Sequence, residues 1–213
     1  MSTHPLTTVF GVLASRRPYL ATLYLLLAMP LGILYFVFLT VGLTTGLGLT
    51  IVWIGLAILL AVLLLGLAFS ALERQQAIWL LGGEVGPVWR GPYRELGFKA
   101  RFKALLTNPV TWKGLLFLLL KFPLGIASFV FTVTAFSVSL SLLAAPLLYR
   151  FENVELNLEL WALRIDTFGE ALVASVVGFV LLLATLHAVN GFAWVWRQLS
   201  VRLLGNRTAE VTA

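Results

Sequence analysis

The chain has 213 residues, of which 60% are hydrophobic and only 11% charged, with a net charge of +6. An ordinary globular domain carries roughly 25% charged residues, so a water-soluble fold of this size could not cover its surface, and lipid is the expected solvent. The basic residues stand at the ends of apolar runs rather than along one wetted face, which argues for membrane topology and against a nucleic-acid partner. There is no cysteine, which rules out disulfides, thiolate metal sites and a cysteine nucleophile. His4 and His187 are too few and too far apart to suggest a metal site; no metal, cofactor or enzymatic activity is expected.

Residues 1–17 read as a cytoplasmic N-terminus ending in Arg16 and Arg17. The first apolar run, about 19–43, exceeds a signal-peptide core and lacks a small-residue cleavage pattern, so it is read as a retained span. A second span covers about 48–72 and carries Ala57 and Ala61, a pair of small residues suited to close helix contact.

Residues 82–92 are rich in Gly and Pro and predict a loop. Phe98, Phe102, Leu105 and Leu106 then recur at helical spacing, flanked by Lys99, Arg101 and Lys103. Such a helix can lie in the interface, where each cation near anionic headgroups contributes about 1 kcal/mol. Setting topology is the simpler role for this basic patch, and receiving a cytoplasmic protein the sharper one.

The third span, about 110–148, is too long for a straight crossing. Asn108-Pro109 predicts an N-cap followed by proline at the first helical position, and Pro123 predicts a kink. Lys121 lies about three turns in; snorkelling back to the inner interface is favoured over ligand or ion pairing. The hydroxyls of Ser128, Thr132, Thr134, Ser137, Ser139 and Ser141 can bond carbonyls of their own helix.

Between the third and fourth spans, residues 154–160 alternate apolar and polar, a strand period or a flap. Thr167 and Glu170 have capping-box spacing at the start of the fourth span, about 168–196. Ala174 and Gly178 form another small pair. His187, Asn190, Gly191 and Trp194 share one face, suited to interhelical hydrogen bonds or to a ligand. Trp112, Trp161, Trp194 and Trp196 fall near expected membrane boundaries.

Arg and Lys crowd the N-terminus, the middle loop and the C-terminus, whereas the loop before the fourth span holds Glu152, Glu155, Glu159 and Asp166. Short basic loops stay inside, so both termini and the middle loop are expected in the cytoplasm of a cell with this chain in its inner membrane.

An internal repeat is also visible. Leu26-Leu-Ala-Met-Pro-Leu-Gly-Ile33 returns 93 residues later as Leu119-Leu-Lys-Phe-Pro-Leu-Gly-Ile126, and Phe36-Val-Phe38 as Phe129-Val-Phe131. Arg74-Gln75 and Leu80-Leu-Gly82 return 123 residues later as Arg197-Gln198 and Leu203-Leu-Gly205. The expected fold is an all-α membrane protein of four transmembrane helices in two parallel-repeat hairpins, with a cytoplasmic amphipathic interfacial helix. The membrane domain would span 18–205, with repeats at 18–82 and 109–205, a linker at 83–108 and a tail at 206–213.

The block Asn108-Pro-Val-Thr-Trp-Lys-Gly-Leu-Leu-Phe-Leu-Leu-Leu-Lys-Phe-Pro-Leu-Gly-Ile126 resembles the hallmark of a sensor-domain family, a four-helix membrane module often found ahead of prokaryotic histidine kinases. Tyr24–Ile33 resembles its first span and Trp161–Leu172 the start of its fourth, so the similarity runs over about 18–205. The resemblance implies a signal-input role with no catalytic residues. Too little sequence follows Gly205 for a kinase, and no Gly-rich phosphate loop is present, so a sensor would act through a separate kinase or regulator. The alternatives are an accessory subunit packed against other membrane subunits and, less favoured, a small transporter. A homo-oligomer is compatible with each.

Overall fold

In a computed structural model the described residues are 15–85, 97–148 and 167–205. Six α-helices account for nearly all of them: α1 (Arg17–Gly48), α2 (Ile54–Leu81), α3 (Phe98–Thr107), α4 (Pro109–Leu143), α5 (Ala145–Leu148) and α6 (Phe168–Leu204). The long helices α2, α4 and α6, and α1 with the 3-10 turn Leu49–Val52 that follows it, are long and apolar enough to cross a membrane. The expected strand at 154–160, Trp161 and the tail at 206–213 lie outside the described residues.

The first hairpin turns later than its composition suggests. Gly46 and Gly48 look like a break, but α1 runs through Gly46 to Gly48 and the chain reverses in the 3-10 turn and at Trp53, whose φ is 63°. Gly46 serves packing instead, together with Gly42. A β-carbon on Gly42 would stand 2.5 Å from a Val62 methyl, and one on Gly46 would stand 2.7 Å from Leu59 Cδ2, so only glycine lets α1 and α2 close this tightly. At its other end α2 passes the expected limit and stops at Gly82, in the left-handed region at φ 61°.

Two predicted caps are formed. Asn108 Oδ1 accepts the Val110 N–H at 2.9 Å, which separates α3 from α4. Thr167 N–H donates to Glu170 Oε2 at 3.2 Å while Glu170 N–H donates to Thr167 Oγ1 at 3.3 Å, the reciprocal pair of a capping box. Pro123 sits inside α4, as Pro30 sits inside α1, without ending the helix.

The chain divides into two compact units. One holds Leu20–Phe129 with the last turns of α6, from Phe192. Its core is where α1 crosses α4: a β-carbon on Gly32 would stand 2.6 Å from the Lys121 carbonyl oxygen, and one on Gly125 would stand 2.5 Å from the Ala28 carbonyl oxygen. Gly32 and Gly125 are 93 residues apart, as are Ala28 and Lys121, so the two contacts are reciprocal. In the same unit Gly66 and Gly114 admit Leu115 and Ser70 between α2 and α4. Ala57 and Ala61, the small pair singled out on α2, are exposed instead.

The other unit contains Val130–Gly191. There α4 and α6 pack at Gly178, where a β-carbon would stand 2.5 Å from the Leu143 backbone nitrogen. Ser175 Oγ donates to the Leu143 carbonyl at 3.1 Å, and Ser139 Oγ lies 3.3 Å from Thr185 Oγ1. Ser139 also donates to the Ala135 carbonyl one turn earlier, which satisfies a hydroxyl within its own helix.

Candidate functional site: a buried ion pair among aromatic rings

Within the first unit, Glu73 of α2 and Lys121 of α4 form a salt bridge with both side chains 0% exposed. Snorkelling, the favoured sequence reading of Lys121, is therefore replaced by pairing. The ammonium finds its counter-charge in the last two turns of α2, so it need not reach headgroups. Glu73 was missed because it stands one residue beyond the expected end of the second span.

The pair is enclosed by rings. Tyr35 of α1 donates its hydroxyl to Glu73 Oε1 at 2.8 Å. Lys121 Nζ lies 4.7 Å from the centre of the Tyr24 ring and 5.8 Å from that of Trp196, within the range where a cation gains from an aromatic face. Tyr24 and Phe117 each meet Trp196 edge to face, at 5.7 and 6.1 Å between ring centres. Trp196 Nε1 donates to Ser128 Oγ at 3.0 Å, and Ser128 Oγ donates in turn to the Leu124 carbonyl. Trp196 is thus a core residue, 2% exposed, and not the interfacial anchor its position near the span end suggested.

The contacts repeat in number as well as in kind. Tyr35 and Ser128 are 93 apart, Glu73 and Trp196 are 123 apart, and Tyr35 bonds Glu73 as Ser128 bonds Trp196. The charged pair is formed once and not at its repeat-related position: Ala28 stands 93 residues before Lys121, and Trp196 stands 123 residues after Glu73.

Both carboxylate oxygens have a partner, but other buried polar atoms do not. The Tyr24 hydroxyl, Gln76 Oε1, Thr111 Oγ1 and Ser200 Oγ have no hydrogen-bond partner among the described residues. Gln76 follows Glu73 within one turn of α2, and Ser200 follows Trp196 by one turn of α6. Such atoms are commonly satisfied by an internal water or a small polar solute. Among the described residues no group of His, Cys, Asp and Glu could hold a metal ion.

The other sequence candidates lie elsewhere. Lys99 and Lys103 are exposed on α3, whose Leu105 is fully buried and whose Leu106 is 38% exposed. Arg101 belongs to the same helix. Trp112 Nε1 donates to the Leu106 carbonyl at 2.8 Å and ties the end of α3 to the start of α4. His187 and Gly191 are exposed on α6 and Asn190 is half-buried; all three belong to the other unit.

Four long apolar helices, with their one described ion pair sealed inside, define a multi-pass helical membrane protein. The chain belongs to the Sensor family, whose description is “Putative sensor” and which matches residues 24–204. No curated protein and no solved structure matches it.

Proposed function

We propose that the chain is a membrane-embedded sensor that passes its signal to a separate protein, a kinase or regulator, from a cell membrane in which both termini and α3 face the cytoplasm. The observation that carries this proposal is the Glu73–Lys121 pair, which ties α2 of the first hairpin to α4 of the second. Charges sealed in a medium of low dielectric are held in one arrangement or released to another, with little between, because each is costly without its partner. A stimulus that favours one arrangement shifts the population by its differential affinity for the two. The similarity in sequence between the hairpins supports duplication of one helical unit, and a charged pair formed once, with no counterpart at the repeat-related position, supplies an asymmetric clasp. Lys99 and Lys103, with Arg101 on the same helix, give the cytoplasmic side a cationic surface for anionic lipid or for the partner.

The test uses the absence of native cysteine. Spin labels at Leu72→Cys and Leu119→Cys, both exposed positions on α2 and α4, report the separation of these helices in liposomes. Bilayers of different thickness and anionic lipid content should shift the distance between two populations. The same labels in a Glu73→Gln/Lys121→Met background should show one population that ignores the bilayer. A single unchanged distance in every bilayer for the unmodified pair would refute the proposal.

A further inference from the structure

Along α6, Val173, Val177, Val180, Ala184, His187 and Gly191 are all exposed. Their separations alternate between four and three residues, the 3.5-residue period that keeps one seam facing a second helix in a left-handed pair. Buried Ala171, Gly178, Thr185, Leu186 and Val189 form the opposite side, against the rest of the chain. Among the described residues, nothing covers this seam.

Exposed valines in a membrane need no partner beyond lipid, but His187 does. It stands ten residues before Arg197 and seventeen after Glu170. At 1.5 Å per residue that places it about 15 Å from one charged end and about 25 Å from the other, inside a hydrocarbon layer of about 30 Å. No headgroup or bulk water reaches an imidazole there, and neither His187 nor Asn190 has a hydrogen-bond partner among the described residues. Polar side chains at such depth face protein or a hydrated cavity rather than lipid. The seam is narrow at this level too: Ala184 and Gly191 flank His187, and nothing lies within 4 Å of where a β-carbon on Gly191 would stand.

We infer that this face of α6 is where two copies of the chain associate, α6 against α6 in parallel about a twofold axis along the membrane normal. Copies inserted by the same rule have the same orientation, so their α6 helices run parallel, and a twofold axis brings each seam residue against itself and its neighbours one turn away. The polar groups suit a copy of themselves. A neutral imidazole has one donor and one acceptor, and an amide has both, so His187 can bond His187 or the flanking Asn190 of the second copy without bringing like charges together. Ala184 and Gly191 let the backbones approach closely enough for those bonds.

The full-length protein in liposomes tests this. Single cysteines at Val177→Cys and Ala184→Cys, on the seam, should give a disulfide-linked dimer on oxidation, whereas Leu172→Cys, exposed but off the seam, should not. Energy transfer between labelled copies, followed as lipid is added to dilute them, should show that His187→Leu and Asn190→Leu each weaken association several-fold and together about tenfold or more. Gly191→Ile should weaken it as well, with the fold retained as judged by helix content. Equal cross-linking at Leu172 and Ala184, a monomer at all protein-to-lipid ratios, or unchanged association in the His187→Leu/Asn190→Leu double variant would each overturn the inference. A monomer would assign the face to a different protein's helix.

Discussion

Removing one member of the Glu73–Lys121 pair should cost far more than removing both. Both side chains are fully buried, and stripping the partner from a buried charge costs about 3–5 kcal/mol, or between two and four decades in the folding equilibrium. Glu73→Gln leaves the ammonium with the rings of Tyr24 and Trp196 and no counter-charge. Lys121→Met leaves the carboxylate with the Tyr35 hydroxyl alone. In Glu73→Gln/Lys121→Met neither charge remains, the glutamine can still accept from Tyr35, and methionine fills the lysine stem's volume. Replacing a whole buried pair is often neutral, so the double variant should lie within about 1–2 kcal/mol of the parent. A double-mutant cycle measured by SDS titration in mixed micelles should therefore give a coupling energy of at least about 4 kcal/mol. If the double variant is as unstable as the two single changes added together, the two side chains act independently, and the clasp does not exist.

Two further outcomes follow from the packing and the charge pattern. Gly32→Val or Gly125→Val drives a branched side chain into a backbone carbonyl on the facing helix, which no rotamer change relieves; each should destabilise the protein by about 3 kcal/mol or more, whereas Gly97→Ala, with open space around it, should be near neutral in the same SDS titration. Membrane-impermeant labelling of Lys103→Cys and Glu155→Cys in intact cells should reach Glu155→Cys from outside and Lys103→Cys only after permeabilisation; reaction of both from the same side would overturn the topology.

The helices were legible because their signals are local. Four runs of apolar residues, the Asn108 cap and the Thr167–Glu170 box each depend on residues within a turn or two of one another. The ion pair depends on residues 48 apart in sequence, and hydropathy along one helix does not say which faces will meet. A span limit drawn at residue 72 also put Glu73 outside the membrane, which left Lys121 with headgroups as its only visible partner. Ala57 and Ala61 misled for the same reason: small residues mark a face that can pack closely, and α2 uses Gly55 and Gly66 instead. A usable signal was nonetheless present in the matching sequence blocks. Where the blocks match, Lys121 replaces Ala28, and next to the shared Arg-Gln, Glu73 stands for Trp196. Two departures of opposite charge, one per copy, point to each other.

The reciprocal contact at Gly32 and Gly125 also limits how this molecule can move. Each glycine comes two residues after a proline, Pro30 or Pro123, so the backbones touch where each helix has lost one of its own hydrogen bonds. Sliding α1 along α4 by a turn would carry Ala28 or Phe36 to the place of Gly32, into a space that admits only a hydrogen atom. Piston motion of a whole turn between these helices is blocked, whereas rotation about the crossing keeps both glycines in place, as in the blades of scissors.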